Sequence, residues 1–471
     1  MSIFRVFCAL ALHWATAHLS AASPLPEAQQ AMLAKGYRFD RAGWVYLHLE
    51  GSPRARGFQH GYLLAPEIAL NLHKTRVQWE HLSAMSWSWY VAQADALITS
   101  KVDPENLAEI DGLSEGLAAA GVASNRAELV AHNAQLELFN YWWPQEFKKL
   151  KENAKVPGAE SCSSFIATGS WTADAGVVLG HNSMFYYEGF MPNVVLDLVP
   201  ERGHRILMQT VPGWIHSGTD FWVTSAGLVG SETTIGGFDG FDANGVPEFA
   251  RMRRASQDAA SIDDWCRIMK EGNNGGYANA WLLGDVNTGE IARLELGLKV
   301  VGFERTKDGY FTGSNIAENP RLLRFETNSK ETDIRASGVA RRVRWKQLMA
   351  KHKGRIDLAL ARRFEADHFD AFLGRERLGV RGLCTHAELD PESGIRDWDV
   401  PFCPGGTMDG KVIDTRMAKA MSFSARWGAA CGRPFDAAGF LAKHPQFEWM
   451  KGILNDRPSQ PWATFKAGDR K

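Results

Sequence analysis

Cys162 opens the run Cys162-Ser163-Ser164-Phe165, where a lysine-rich stretch gives way to an apolar one. A cysteine placed there can serve as an N-terminal nucleophile. If the chain cuts itself between Ser161 and Cys162, one residue acquires both a thiol and a free α-amine, so nucleophile and base arrive together without a Ser-His-Asp arrangement. During maturation the Cys162 thiol attacks the Ser161 carbonyl, the acyl group shifts from nitrogen to sulfur, and water releases the new amino terminus. An α-amine with an unperturbed pKa of about 8 then accepts the thiol proton near neutral pH. The sulfur attacks an acyl substrate, and hydrolysis or aminolysis of the thioester separates a hydrolase from a transferase. The plain alternative for Cys162 is a small buried hydrophobe.

Other chemistries compete. Gly112-Leu113-Ser114-Glu115-Gly116 matches the G-x-S-x-G pattern of serine hydrolases, in which the serine crowns a turn between strand and helix. Here Leu107, Ile110, Leu113 and Leu117 recur at helical spacing, which predicts a helix through Ser114 whose glycines permit close packing. The chain has no H-E-x-x-H, paired C-x-x-C or EF-hand pattern, so the sequence names no metal and no cofactor. Gly236-Gly237 and Gly275-Gly276 lack the strand-glycine-helix context of a nucleotide cradle and read as tight turns.

The elements that must position Cys162 change character near residue 160. Residues 24–150 read as mainly helical, with an early strand over 44–49 whose alternation suits one half-buried face. The spacing predicts a helix over 126–147 ending at Pro144, followed by an exposed connector over 146–161. Beyond Cys162 the pattern is that of antiparallel hairpins, 164–168 with 177–181, 194–199 with 206–211, and 280–283 with 291–296. Helices are expected over 247–257, 262–270, 336–352 and 358–369. Hairpins with segregated helices argue for an α+β fold. His181 ends the strand paired with the nucleophile strand, so it either lines the site or serves the structure, and the same choice holds for Asn182. Thr233 and Thr234 follow a strand and either bound the pocket or belong to the sheet. Trp214, Trp222, Phe185 and Tyr186 are candidates for an apolar acyl cleft, with core packing as the alternative.

With 471 residues, 45% of them hydrophobic, the chain has material for one large domain or two closely joined ones. Lysine plus arginine (53) nearly balances aspartate plus glutamate (54), which excludes a strong overall field for nucleic acid or an anionic membrane. Residues 1–22 read as a signal peptide, with Arg5, the apolar run Val6 to Leu19 and the small Ser20-Ala21-Ala22. No later stretch is long and apolar enough for an integral membrane anchor. Cleavage there leaves Cys162, Cys266, Cys384, Cys403 and Cys431, an odd number that keeps one thiol unbridged. Cys384 and Cys403 are close enough in sequence to bridge a loop, and the alternative leaves all five reduced. The chain contains no Asn-x-Ser/Thr site, which favours a secreted or periplasmic setting over a glycosylated lysosome-like one.

Cys162-Ser163-Ser164-Phe165, Gly180-His181-Asn182-Ser183, Ser231 to Gly236 and Asn274-Gly275-Gly276-Tyr277-Ala278-Asn279-Ala280-Trp281 resemble, in that order, the phospholipase B-like proteins. Gly43 to Leu47, Gly406 to Val412 and Gln460-Pro461-Trp462 add to the resemblance, so it spans nearly the whole mature chain. Gly57-Phe58-Gln59-His60-Gly61 and Leu383-Cys384-Thr385-His386 resemble the self-cleaving acyltransferases typified by the penicillin side-chain acyltransferase. Both groups are N-terminal-nucleophile (Ntn) hydrolases. The resemblance implies a four-layer αββα sandwich of antiparallel sheets, self-cleavage before Cys162, and transfer or hydrolysis of an acyl group from an amide or ester. It also carries Asn279 onto the position of an oxyanion-stabilising amide, where the alternative is a residue that ties down the turn before it.

The chain departs from the family where His181-Asn182-Ser183-Met184 replaces the usual His-Asn-Thr-Trp, and Met184 supplies no charge where related bile-salt and penicillin V hydrolases have an aspartate. The resulting expectation is an exported, autoproteolytic acyl hydrolase of fatty-acyl or N-acyl substrates. It divides into a signal peptide (1–22), a mainly helical N-terminal chain (23–161) released or retained after cleavage, and a catalytic chain (162–471). Its partners are a small-molecule acyl amide or lipid and its own N-terminal chain. The alternatives are an acyltransferase to an amine acceptor, a lipid-binding member without turnover, and a serine hydrolase at Ser114.

Overall fold

The computed structural model describes residues 24–151, 161–218, 221–392, 398 and 400–471. The signal-like segment 1–22 and most of the connector before Cys162 lie outside the described residues. The N-terminal part is helical, as the apolar spacing predicts: α1 (Glu27–Leu33), α2 (Pro53–Leu63), α3 (Ala65–Ser83), α4 (Trp87–Ile98), α5 (Pro104–Ala119), α6 (Arg126–Asn133), α7 (Gln135–Glu137) and α8 (Trp143–Leu150). The single helix predicted over 126–147 is broken. Asn133 closes α6 by donating to the Leu129 and Gly213 carbonyls, and a π-helical turn over Leu138–Trp142 separates α7 from α8. Pro144, expected to end a helix, begins one, standing in the first turn of α8 where its missing N–H is not needed.

Glycines set the crossing of α2 and α5. A Cβ on Gly57 would lie 1.8 Å from the Glu109 carbonyl oxygen and one on Gly61 2.1 Å from that of Leu113. Reciprocally, Gly112 would meet the Arg54 carbonyl oxygen at 2.1 Å and Gly116 that of Phe58 at 2.2 Å. Ser114 lies between these glycines inside α5, with its hydroxyl donating to the Ser124 carbonyl at 3.1 Å. The G-x-S-x-G run is therefore a helix-packing device, and the Ser114 reading falls.

Two sheets form the middle of the molecule. Their strands are β1 (Tyr37–Arg41), β2 (Trp44–Gly51), β3 (Ser161–Thr168), β4 (Val178–Tyr186), β5 (Val194–Pro200), β6 (Ile206–Thr210), β7 (Phe221–Thr224), β8 (Leu228–Thr234), β9 (Asn279–Asp285), β10 (Glu290–Leu296), β11 (Val301–Thr306) and β12 (Gly309–Gly313). A short ribbon, β13 (Phe369–Asp370) with β14 (Arg375–Glu376), precedes β15 (Gly405–Thr407), β16 (Asp409–Asp414), β17 (Ser422–Trp427) and β18 (Ala463–Lys466). The nine-stranded sheet runs β1-β2-β5-β6-β7-β8-β9-β10-β11, and the seven-stranded sheet runs β12-β3-β4-β16-β17-β18 with β15 also on β4. All three predicted hairpins are present as β3/β4, β5/β6 and β9/β10. The remaining α-helices are α9 (Glu248–Asp258), α10 (Ile262–Lys270), α11 (Pro320–Glu326), α12 (Ser337–His352), α13 (Leu358–Glu365), α14 (Thr415–Lys419) and α15 (Ala437–Lys443).

Alternation along the strands makes four layers. Trp44, Tyr46, Val195 and Phe221 of the larger sheet meet Ile166, Leu179, Ile413 and Phe423 of the smaller one. The opposite face of the larger sheet, with Leu47, Leu196 and Trp281, packs on helices between α3 and α10. The opposite face of the smaller sheet, with Phe165 and Val412, packs on Trp345 of α12 and Phe364 of α13. This is the αββα sandwich that the resemblance implies. The expectation of a half-buried early strand is corrected, since Trp44 through Leu49 are buried on both faces. The reason is its place in the sheet: β2 pairs with β5 in parallel, Val45 opposite Val194 through Gly51 opposite Pro200, so the chain before Cys162 supplies an inner strand. The sandwich is thus not confined to residues 162–471.

Two outcomes follow from this packing. Gly112→Ala forces a methyl into the α2 main chain and is expected to lower unfolding free energy by about 3 kcal/mol, read from the urea midpoint. His60, on α2, is fully buried and accepts a hydrogen bond from the Gly213 N–H at 3.0 Å, and burial pushes it down to about 4 from 6.5. The neutral ring is the folded form, so its contribution is complete above pH 6.5 and is lost as pH falls toward 4. The stability difference between wild type and His60→Gln should therefore shrink by about 3 kcal/mol over that interval, measured by denaturant unfolding at each pH.

Candidate active site around Cys162

Cys162 is the second residue of β3 and lies directly opposite Ser183 of β4. Side chains alternate along the pair, so Cys162 and Ser164 face one way and Ser163 the other. The direction is fixed by contacts: Ser164 Oγ lies 2.7 Å from Ser231 Oγ of the larger sheet, whereas Ser163 Oγ accepts from Trp345 Nε1 of α12 at 3.0 Å. Cys162 thus points into the space between the sheets and is fully buried.

Both main-chain polar groups of Cys162 are held by residues distant in sequence. Its N–H donates to Asn315 Oδ1 at 3.2 Å, and its carbonyl accepts from Arg341 Nη1 at 2.6 Å. Arg341, buried on α12, also donates through Nη2 to Asn315 Oδ1 at 2.7 Å and through Nε to Ser337 Oγ at 3.0 Å. Asn315 adopts a left-handed backbone (φ 66°), a conformation that asparagine tolerates better than most residues. Its Nδ2 donates to the Thr234 carbonyl at 2.8 Å, tying the smaller sheet to the end of β8.

A buried ion pair supports the strand opposite. Lys411 Nζ lies 2.7 Å from Asp409 Oδ1 and donates to Ser183 Oγ at 2.6 Å and to Gln209 Oε1 at 2.5 Å. Asp409 accepts the Ser183 N–H at 3.1 Å and Gln209 Nε2 at 2.6 Å. Both charges are fully buried, which is tolerable only because hydrogen bonds surround each of them.

The other sequence candidates divide by face. His181 shares the Cys162 face; its Nε2 donates to the Glu232 carbonyl at 2.9 Å, and burial together with the Lys411 ammonium pushes it well below the ordinary histidine range. It is a neutral ring between the sheets. Thr233 turns into the same gap, against Gly313 of β12. Asn182 and Met184 point away from Cys162, which corrects their expected place in the site. Asn182 Nδ2 donates to the carbonyls of Glu365 at 2.7 Å and Leu383 at 3.0 Å, and Met184 packs with Val380, Trp398 and Cys403. The cause is the two-residue period, which sends every second residue of β4 to the outer helices.

Asn279 opens β9 opposite Thr234. With its amide oriented to satisfy its neighbours, Nδ2 donates to Glu232 Oε2 at 2.7 Å and to the Ala278 carbonyl at 2.9 Å. Glu232 also accepts from Tyr277 OH at 3.0 Å, which in turn accepts from Thr234 Oγ1 at 2.8 Å. Asn279 is thereby one bond network away from Asn315, through Thr234. The proposed acyl cleft is not formed by its four aromatics. Trp214 stacks on His216, and Trp222 on Trp265 in the helical layer. Tyr186 alone of the four borders a cavity of about 550 Å³ beyond the end of β4, walled also by Trp79, Phe139, Trp143, Phe447 and Met450.

The expected Cys384–Cys403 bridge is absent. Cys403 packs beside Met184, while Cys384 lies with Ala429, Ala430 and Cys431, so folding separates what sequence distance had joined. Sequence reasoning missed Asn315, Arg341, Asp409 and Lys411. The last two stand in the quoted run Gly406 to Val412, and their charges at alternate positions of a buried strand were the available signal.

Comparison with known proteins agrees with the ordered motifs. The phospholipase B family model matches residues 105–297. An uncharacterized protein of Archaeoglobus fulgidus is 26% identical over 265 residues, covering 53% of this chain and 43% of that protein. Phospholipase B-like 2 of Bos taurus is 29% identical over 154 residues, covering 29% of this chain and 26% of that one. The match therefore spans less than half the length of these curated relatives. Among solved structures, a mutant of conjugated bile acid hydrolase from Clostridium perfringens aligns over 56% of this chain and 89% of its own, at 10% identity and a TM-score of 0.33. The motif order and the family match agree: over residues 105–297 the chain is similar to the phospholipase B-like proteins.

Proposed function

We propose that this chain is an exported acyl hydrolase acting on an amide or ester bond, with Cys162 as nucleophile, matured by cleavage between Ser161 and Cys162. The observation that carries the reading is the double grip on the Cys162 main chain. The nitrogen that donates to Asn315 Oδ1 is the atom that becomes the α-amine after cleavage. Asn315 then holds the base in place, and the Arg341 guanidinium, itself 2.7 Å from Asn315 Oδ1, disfavours a second positive charge there. The guanidinium thereby favours an uncharged amine near neutral pH, which is what a general base requires.

The cycle follows from that arrangement. The amine takes the thiol proton, sulfur adds to the acyl carbon, and the leaving amine or alcohol departs with the proton from the ammonium, leaving a thioester. Water, deprotonated by the same amine, adds to the thioester; the thiol leaves and the acid is released. Asn279 serves the oxyanion only if one of its N–H bonds turns from Glu232 or Ala278 to the substrate. Asn182 and Met184 have no part in this scheme. The inner position of β2 keeps the N-terminal chain bound after the cut.

Denaturing electrophoresis tests maturation: wild type should run as fragments of about 15 and 34 kDa that co-elute under native conditions. Cys162→Ala should remain a single chain with acyl hydrolysis abolished. A wild type unbroken under all conditions, mild acid included, overturns the reading. Mass spectrometry after incubation with a mixed pool of lipids and N-acyl amides should find the acyl group on Cys162. Arg341→Met should move the acid limb of the kcat/KM profile upward by about one pH unit, because the amine binds its proton more tightly without the guanidinium.

A further inference from the structure

A second cysteine cluster lies on the outer side of the smaller sheet. His368, Cys384, His386 and Cys431 bring one ligand atom each to within 4.8 Å of one another. Cys384 Sγ lies 3.7 Å and Cys431 Sγ 3.4 Å from His386 Nε2. With Zn–S of about 2.3 Å and Zn–N of about 2.0–2.1 Å, tetrahedral coordination sets a sulfur and a nitrogen ligand ~3.6 Å apart. The two observed separations bracket that value.

We infer that these four side chains form a structural zinc site, Cys₂His₂ in composition, that staples the 367–386 segment to the turn at 429–432. Three observations besides the distances point to a cation. His368 Nε2 is buried with no hydrogen-bond partner, although a nitrogen so placed otherwise finds one. His386 presents Nε2 to both sulfurs while its Nδ1 donates to Glu388 Oε1 at 2.9 Å, the carboxylate support that fixes ring orientation in metal sites. The Arg433 N–H points at Cys431 Sγ at 3.4 Å, as suits a thiolate.

The donor set selects the metal. Two thiolates and two imidazoles in a tetrahedron favour zinc over the hard, oxygen-seeking cations, and two thiolate charges neutralise a divalent ion in a site that is largely buried. Four protein ligands leave no position for a reacting water, so the role is structural. The site holds the loop whose Leu383 carbonyl accepts from Asn182, and the N–H of Thr385, between two of the ligands, donates to Thr407 Oγ1 at 2.8 Å. Zinc therefore braces the back of the nucleophile hairpin. Metal binding here does not rest on the chemistry proposed for Cys162. Sequence motifs could not reveal it, because the ligands stand at 368, 384, 386 and 431 without a paired C-x-x-C.

The test uses the full-length purified protein, loaded with zinc chloride and dialysed free of excess metal. Elemental analysis should find about one zinc per chain. Cobalt exchange should give the visible bands of a tetrahedral site with thiolate-to-cobalt charge transfer. Cys431→Ser and His368→Ala should each lower retained zinc by at least about tenfold, whereas Cys266→Ser, at a buried cysteine elsewhere, should retain it. If the ligand variants fail to fold, zinc content and the cobalt spectrum of the wild type still decide. Wild type with no bound zinc after loading overturns the inference, as does peptide mapping that finds a Cys384–Cys431 disulfide. Zinc retained in a folded double variant Cys431→Ser, His368→Ala overturns it as well.

Discussion

The register of β3 against β4 is the constraint on which the candidate site depends. Because Cys162 stands opposite Ser183, the thiol faces the gap between the two sheets, and every other residue of the pair is assigned a face by the same choice. A slip of one residue would send Cys162 to α12 and bring Ser163 inward. The register is held from several directions at once: by Ser164 on Ser231, by Trp345 on Ser163, and by the buried Lys411–Asp409 pair gripping Ser183 on both its main chain and its hydroxyl. Such a pair contributes little net stability, yet losing one partner would leave an uncompensated charge in the core. Its value at this position is geometric.

Much of the fold was legible because local signals and tertiary demands agreed. The three hairpins carry turn residues between alternating apolar strands, and the helical spacing through Leu107, Ile110, Leu113 and Leu117 outweighed the G-x-S-x-G pattern around Ser114. The readings that failed did so where long-range packing decides. The alternation in 44–49 looked half-buried because nothing local reports a parallel neighbour contributed by a segment about 150 residues later. The helix over 126–147 breaks where Asn133 satisfies the loop at Gly213 and Ile215, a partnership invisible in sequence.

The candidate site divides into residues that the sequence singles out and residues that it does not. Cys162 stood out through its setting in the chain, and Asn279 through the family resemblance. Asn315 and Arg341 did not, since each lies more than 150 residues away and neither belongs to a recognisable motif. Adjacency misled for Asn182 and Met184: neighbours in sequence to His181 and Ser183, they are on the opposite surface of the same strand.

The parallel pairing of β2 with β5 has a consequence for folding. Residues before Cys162 supply an inner strand of the larger sheet, so a break at residue 161 would leave that sheet built from both pieces. A molecule cut there would be two chains sharing one core, and its unfolding would be a dissociation. Refolding of the cut form would then depend on protein concentration and would be far less efficient than folding of the intact precursor, with the uncut connector acting as a tether that raises the effective concentration of the two halves.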